Sequence, residues 1–140
     1  MRTRRRAFVY ITRETPHGRQ LLVFTQDDPA AGVQTPGGTI EAHEPALEGA
    51  LREACEETGL SRFGEAREVA FQVFDGPDEA VECHYVHLPL AGTAGESWTH
   101  VVSSGTDDKG MTFRCFWVSL EEARARAWPH MVYGLEALGG

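Results

Sequence analysis

The chain has 140 residues, of which 41% are hydrophobic and 24% charged, and a formal net charge of −8. This length suits one domain, residues 1–140, with a proper core, and the acid excess disfavours a nucleic-acid polymer held through its phosphates. Three cysteines, Cys55, Cys83 and Cys115, are too scattered for a disulfide framework or a zinc site, and no apolar run reaches the length of a membrane span, so a reducing, cytoplasmic setting is expected.

The basic start, Met1-Arg2-Thr3-Arg4-Arg5-Arg6, has no apolar signal-peptide run and passes directly into Ala7-Phe8-Val9-Tyr10-Ile11. It reads as the solvated entrance to a strand over 7–14, with Arg4 and Arg6 as candidates for contact with a substrate phosphate. A turn around Pro16-His17-Gly18 leads to a second strand, Gln20–Gln26. Asp27 to Gly32 is rich in turn formers and reads as a loop. Thr35-Pro36-Gly37-Gly38 is a rigid turn with backbone freedom, followed by a short strand at Thr39–Ile40.

A helix is then well specified. Pro45 suits its first position, Gly59 the position just past its end, and Leu60 supplies the apolar residue that often follows. At about 100° per residue, Leu47, Ala50, Leu51, Ala54 and Thr58 share one arc and predict the buried face, while Glu53, Glu56 and Glu57 share another. Cys55 lies next to the apolar arc and is read as a packing residue.

Beyond the helix, Ala66–Phe74 and Ala80–Leu90 are strand-like on either side of Gly76-Pro77. Trp98–Ser103 and Met111–Val118 flank the turn Gly105–Gly110 and predict a hairpin. Ser119 as N-cap, with Glu122 three residues later, opens a helix over Leu120–Arg126. A last helix is expected from Pro129 to Leu138. Phe74, Trp117 and Trp128 are assigned to the core. Trp98 is read first as a packing residue and second as a platform for a nucleobase. His84 and His87 fall on opposite strand faces and make a poor metal pair, while His100 and His130 have no identifiable partner. Strands, helix, strands, helix is an order that suits a sheet covered on both faces.

The chemistry concentrates on the first helix. Glu53, Glu56 and Glu57, spaced i, i+3 and i+4, are neighbours on a helix and repel one another. A hard divalent cation with oxygen ligands removes that cost. Arg52, eight residues after Glu44, can clamp the preceding loop to the helix through a bidentate pair.

Gly38, Glu44, Arg52, Glu53, Ala54, Glu56, Glu57, Gly59 and Leu60 together resemble the signature of the Nudix hydrolases: Gly, five residues, Glu, seven residues, then Arg-Glu-apolar-any-Glu-Glu-any-Gly-apolar. Every fixed position is met. The resemblance implies an α/β fold of the α+β type, an α/β/α sandwich with a mixed central sheet. It implies Mg²⁺-dependent hydrolysis of the diphosphate linkage in a nucleoside diphosphate joined to another moiety, with Mn²⁺ as a substitute ion. The substrate would be a small nucleotide: a nucleoside triphosphate, a nucleotide sugar or a molecule of the ADP-ribose type. By the same resemblance Glu53, Glu56 and Glu57 are metal ligands, the backbone carbonyl of Gly37 or Gly38 completes the shell, and Glu44 and Arg52 orient it. The general base is Glu53 or Glu57, or an acid on a later loop, for which Glu96, Asp107 and Asp108 are candidates.

Val33 and Thr35 stand where many members carry Trp and Leu, and His43 stands where Gly is frequent. Pro77 lies near a position where ADP-ribose-type members have proline, and one turn proline does not choose a substrate. The alternative reading is a catalytically silent nucleotide-binding or sensor module on the same fold, which would tolerate loss of a signature acid. An isomerase on this fold would need further His and Cys ligands, and the chain offers no such constellation. The resemblance is compatible with a homodimer, and no apolar stripe in the sequence marks its interface.

Overall fold

The computed structural model describes residues 2–103 and 109–138. Seven strands and two helices follow one another as β1 (Arg2–Thr15), β2 (Gly18–Thr25), β3 (Gly37–Ile40), α1 (Ala46–Thr58), β4 (Arg67–Asp75), β5 (Glu79–Pro89), β6 (Ser97–Val101), β7 (Thr112–Ser119) and α2 (Leu120–Arg126). The strands form one sheet in the order β4-β5-β1-β2-β7-β6, with β3 pairing β1. β1 and β5 run parallel, while the other pairings, including β3 with β1, are antiparallel, so the sheet is mixed.

Central strand β1 reads Ala7-Phe8-Val9-Tyr10-Ile11 without polar interruption because both its faces are covered. Ala7, Val9 and Ile11 point to the α1 side and pack with Ala50, Ala54, Val86, Leu88 and Phe113. Phe8 and Tyr10 point to the opposite side, among Val23, Tyr85, Leu120, Ala123, Leu135 and Leu138. The two cores on the two sheet faces make the sandwich of the expected class. The register Phe8↔Gly37 and Ala7↔Gly38 brings β3, and with it the start of the acidic segment, against the middle of the sheet.

Several elements depart from the sequence expectation. β1 begins at Arg2, because Arg2 to Arg6 pair in register with Glu79 to Cys83 of β5. The arginine run is therefore a strand, with Arg2 and Arg4 exposed and Arg5 and Arg6 half-buried. Pro45 is the extended N-cap of α1, one residue outside the helix. Asp28 accepts a hydrogen bond from the Ala30 amide and winds Pro29–Ala31 into a 3₁₀ turn inside the expected loop.

The final segment forms only a 3₁₀ turn, Leu135–Leu138, after irregular turns. There the Tyr10 hydroxyl donates to the Met131 carbonyl at 2.7 Å and accepts from the Gly134 amide at 3.1 Å, which ties the backbone to the sheet in place of helical bonds. Helix α2 is as expected, with Ser119 Oγ accepting from the Glu122 amide at 3.0 Å. Phe74 and Trp128 are each 45% exposed, contrary to their core assignment, whereas Trp117 is buried.

Candidate active site

Helix α1 carries the acidic face. Its buried residues are Gly49, Ala50, Ala54, Glu57 and Thr58. Leu47 and Leu51, assigned to the buried arc, are 39% and 41% exposed, and Glu57 is only 2% exposed. The face that meets the sheet is thus rotated from the apolar arc toward the acids. Small side chains allow this, since Gly49 and Ala50 let the helix approach β3 closely; a Cβ on Gly49 would lie within 3.2 Å of the Ile40 side chain.

The turn before β3 and the helix are locked to each other. Glu57 Oε1 accepts from the Gly37 amide at 2.7 Å. Glu53 lies against Gly38 so closely that a Cβ there would meet its carboxylate at 2.5 to 2.7 Å. Arg52 makes the expected fork onto Glu44, with Nε and Nη2 donating at 2.8 and 2.9 Å. The Arg52 Nη2 also donates to the Thr39 carbonyl at 3.0 Å, and Nη1 donates to Glu53 at 3.0 Å and reaches Glu56 at 3.5 Å. Glu44 returns the clamp by accepting from the Glu41 amide at 3.0 Å. This pairing holds the Glu44 carboxyl below the usual carboxylate range, chiefly through its hydrogen bond from Arg52. The carboxylates raise the Arg52 pKa in turn, Glu44 first, and so keep it cationic.

The far end of α1 is held by side chains of β6. Trp98 Nε1 donates to the Thr58 carbonyl and His100 Nε2 meets the Glu56 carbonyl, both at 2.8 Å. These bonds satisfy carbonyls that a helix C-terminus otherwise leaves open. Trp98 is therefore an anchor of the acidic helix, and His100 has a partner the sequence did not reveal. Gly59 completes the end in the left-handed conformation, φ 77°, with its amide on the Cys55 carbonyl.

Among the described residues, no three acidic, His or Cys side chains converge around one point in the manner of a closed metal site. Even so, the donor set fits a hard divalent ion: carboxylates on one helix face, glycines opposite that leave room for them, and an arginine cation now lying between Glu53 and Glu56.

Of the later acids, Glu96 is committed to Arg13 by a two-pronged pair at 2.8 and 3.0 Å, which lowers its pKa, and Arg13 in turn covers the Trp117 ring. Asp107 and Asp108 lie outside the described residues. Thr12 Oγ1 meets His87 Nε2 at 2.7 Å in a buried pair, and His84 packs on Phe71 and faces Glu68, so the two histidines have separate structural roles. Cys115 lies buried near Glu57; burial first, and then that carboxylate, push its thiol up to about 12.

Next to Glu57 opens a cavity of about 90 Å³. Its walls are Phe8, Phe24, Phe113 and Met131, and its polar lining is Arg6, Gln26, Gln34, Thr35, Gly37 and Glu57. Apart from Arg6, named with Arg4 as a candidate for contact with a substrate phosphate, and Gly37 and Glu57 of the acidic segment, these residues carried no signal. They come from five separated segments, and only Thr35 was marked, as a departure from the family pattern.

The family model of the NUDIX domain matches residues 2–138. No curated protein is significantly similar to the chain in sequence. Among solved structures, the E. coli ORF135 protein superposes with a TM-score of 0.65 at 23% identity, covering 99% of this chain and 89% of that one. A C. elegans Ap4A hydrolase in a binary complex gives 0.62 at 17% identity over 95% and 94%. A candidate NUDIX hydrolase from Listeria monocytogenes gives 0.69 at 20% identity over 95% and 90%. At these identities the structural likeness is one of fold, and it agrees with the mixed sheet described above. On the strength of the family model, which spans the whole described chain, the protein belongs to the NUDIX domain family.

Proposed function

We propose that this protein hydrolyses the diphosphate linkage of a nucleoside diphosphate joined to another moiety, in a reaction that depends on Mg²⁺ or Mn²⁺. The observation that carries the reading is the clamp of Glu44, Arg52, Gly37 and Gly38 around the acidic face of α1. It sets Glu53 and Glu57 against a rigid turn, with Glu56 beside them on Arg52. Membership of the family supports it, as does the fold shared with a protein named as an Ap4A hydrolase.

In this reading Glu53, Glu56 and Glu57 hold the cation, with the Gly38 carbonyl as a further oxygen donor. When bound, a divalent ion supplies Lewis-acid neutralisation of the diphosphate oxygens. Glu44 holds Arg52, and Arg52 fixes the rotamers of Glu53 and Glu56, so the acids are positioned before substrate arrives. The Gly37 amide orients Glu57 from the opposite side. Either Glu53 or Glu57 takes the proton from the attacking water. A small nucleotide is the substrate.

The test is phosphate or pyrophosphate release with Mg²⁺ across nucleoside triphosphates, nucleotide sugars, ADP-ribose and dinucleoside polyphosphates. Glu53→Gln, Glu56→Gln and Glu57→Gln should each lower turnover by roughly 10²-fold or more. Mn²⁺ affinity, followed by electron paramagnetic resonance, should fall with them while circular dichroism stays unchanged. Turnover that survives all three changes would remove the acidic helix from the chemistry.

A further inference from the structure

Two residues that line the cavity beside Glu57 each carry a polar atom that the fold leaves unsatisfied. Arg6 Nε and Thr35 Oγ1 are both buried without a hydrogen-bond partner. Thr35 is 3% exposed and lines the cavity. Arg6 makes no ion pair among the described residues and packs over the Phe8 ring at 5.7 Å. Buried polar groups and charges are normally paired, and an exception in a cavity points to a ligand.

The cavity is well below the roughly 300–1,000 Å³ of a pocket that encloses a whole drug-sized ligand, so it suits one edge of a substrate. Its aromatic walls suit a flat ring. An Nε–H can only donate, and a guanidinium charge favours oxygen acceptors over the hydrogens of an amino group. Glu57 and Gly37 line this cavity and also belong to the acidic site, so ring and diphosphate of one substrate meet there.

We infer that Arg6 and Thr35 form a specificity pair that reads the keto oxygen of a nucleobase, and that this protein selects keto bases over their amino counterparts. The inference rests on the nucleotide-hydrolase reading above and adds the class of base. An amino group directed at Arg6 would leave the Nε–H unpaired and place like-signed hydrogens against it. The Gln26 amide can serve either kind of edge and does not discriminate by itself, whereas Gln34 Nε2 already donates to the Ala31 carbonyl.

The test is calorimetric titration with nucleoside 5′-monophosphates, which carry the base without a linkage to cleave. Inosine against adenosine and uridine against cytidine differ mainly in a keto for an amino group. The keto member of each pair should bind roughly 10- to 100-fold more tightly. Arg6→Leu should erase that preference by weakening the keto members alone, and the shape-conserving Thr35→Val should reduce it. Equal binding within both pairs, or no binding by any monophosphate, overturns the inference. A uniform loss across all four in Arg6→Leu would assign Arg6 to the phosphate and overturn it equally. Silence of the hydrolysis panel would defeat the hydrolase reading, whereas turnover without base discrimination would defeat only this one.

Discussion

Two adjacent glycines carry different burdens. A Cβ at Gly37 would overlap the carbonyl oxygen of Ala7, a backbone atom in the centre of the sheet that cannot move aside. A Cβ at Gly38 would meet only the carboxylate of Glu53, the free end of a flexible side chain. Gly37→Ala should therefore cost stability, about 1–3 kcal/mol by urea denaturation, as overpacking does. Gly38→Ala should keep its denaturation midpoint and lose turnover, on the order of 10²-fold, because Glu53 is displaced. Comparable stability losses in both variants would argue against this division. The Gly38 and Glu44 positions were legible in the sequence because the signature spaces them. Gly37 was read, through the resemblance, as one of two carbonyls beside the acids; that its amide serves Glu57 came from the structure.

At the scale of elements, α1 is fixed at both ends by different means. Arg52 and Glu44 hold its start, and Trp98 and His100 hold its last carbonyls. Trp98→Phe keeps the packed ring and removes one hydrogen bond, so it should destabilise by about 1 kcal/mol. Turnover should fall with it because the acids ride on that helix, while Mn²⁺ affinity should fall less than in the Glu→Gln variants. Helicity of the segment was readable from Pro45, Gly59 and the apolar spacing. Its orientation was not: hydrophobicity placed Leu47 and Leu51 inside, but the close approach of Gly49 and Ala50 to β3 turns them outward and buries Glu57. Likewise Phe74 is apolar but sits on β4, the edge strand, beyond the elements that cover the sheet centre.

For the molecule as a whole, three buried or clamped groups link stability to pH. Burial lowers the pKa of His87, so below about 6.5 the unfolded chain takes up a proton that the folded one resists. Stability should fall as pH drops through that value, and His130, lowered chiefly by burial and then by Arg6, acts in the same sense. Glu44, held low by Arg52, adds a second loss as pH falls below about 4.5. Urea midpoints at pH 7.5, 5.5 and 4 would show both steps. His87→Gln should shrink the first to the part due to His130 and leave the second; an unchanged first step would assign it to other groups.

The sequence by itself determined the acidic signature, the end of α1 at Gly59, the N-cap of α2 at Ser119, and the succession of strands that makes a covered sheet. Each of these is a local relation, set by spacing along one segment and by the conformational limits of proline, glycine and serine. Only the tertiary structure decided which face of α1 is buried, that β6 anchors its end, and that Arg6, Thr35, Gln26 and Gln34 share a cavity with Glu57. Those relations join residues far apart in the chain, through strand register and helix approach. No periodicity along a single segment encodes them, because they depend on how separate elements pack.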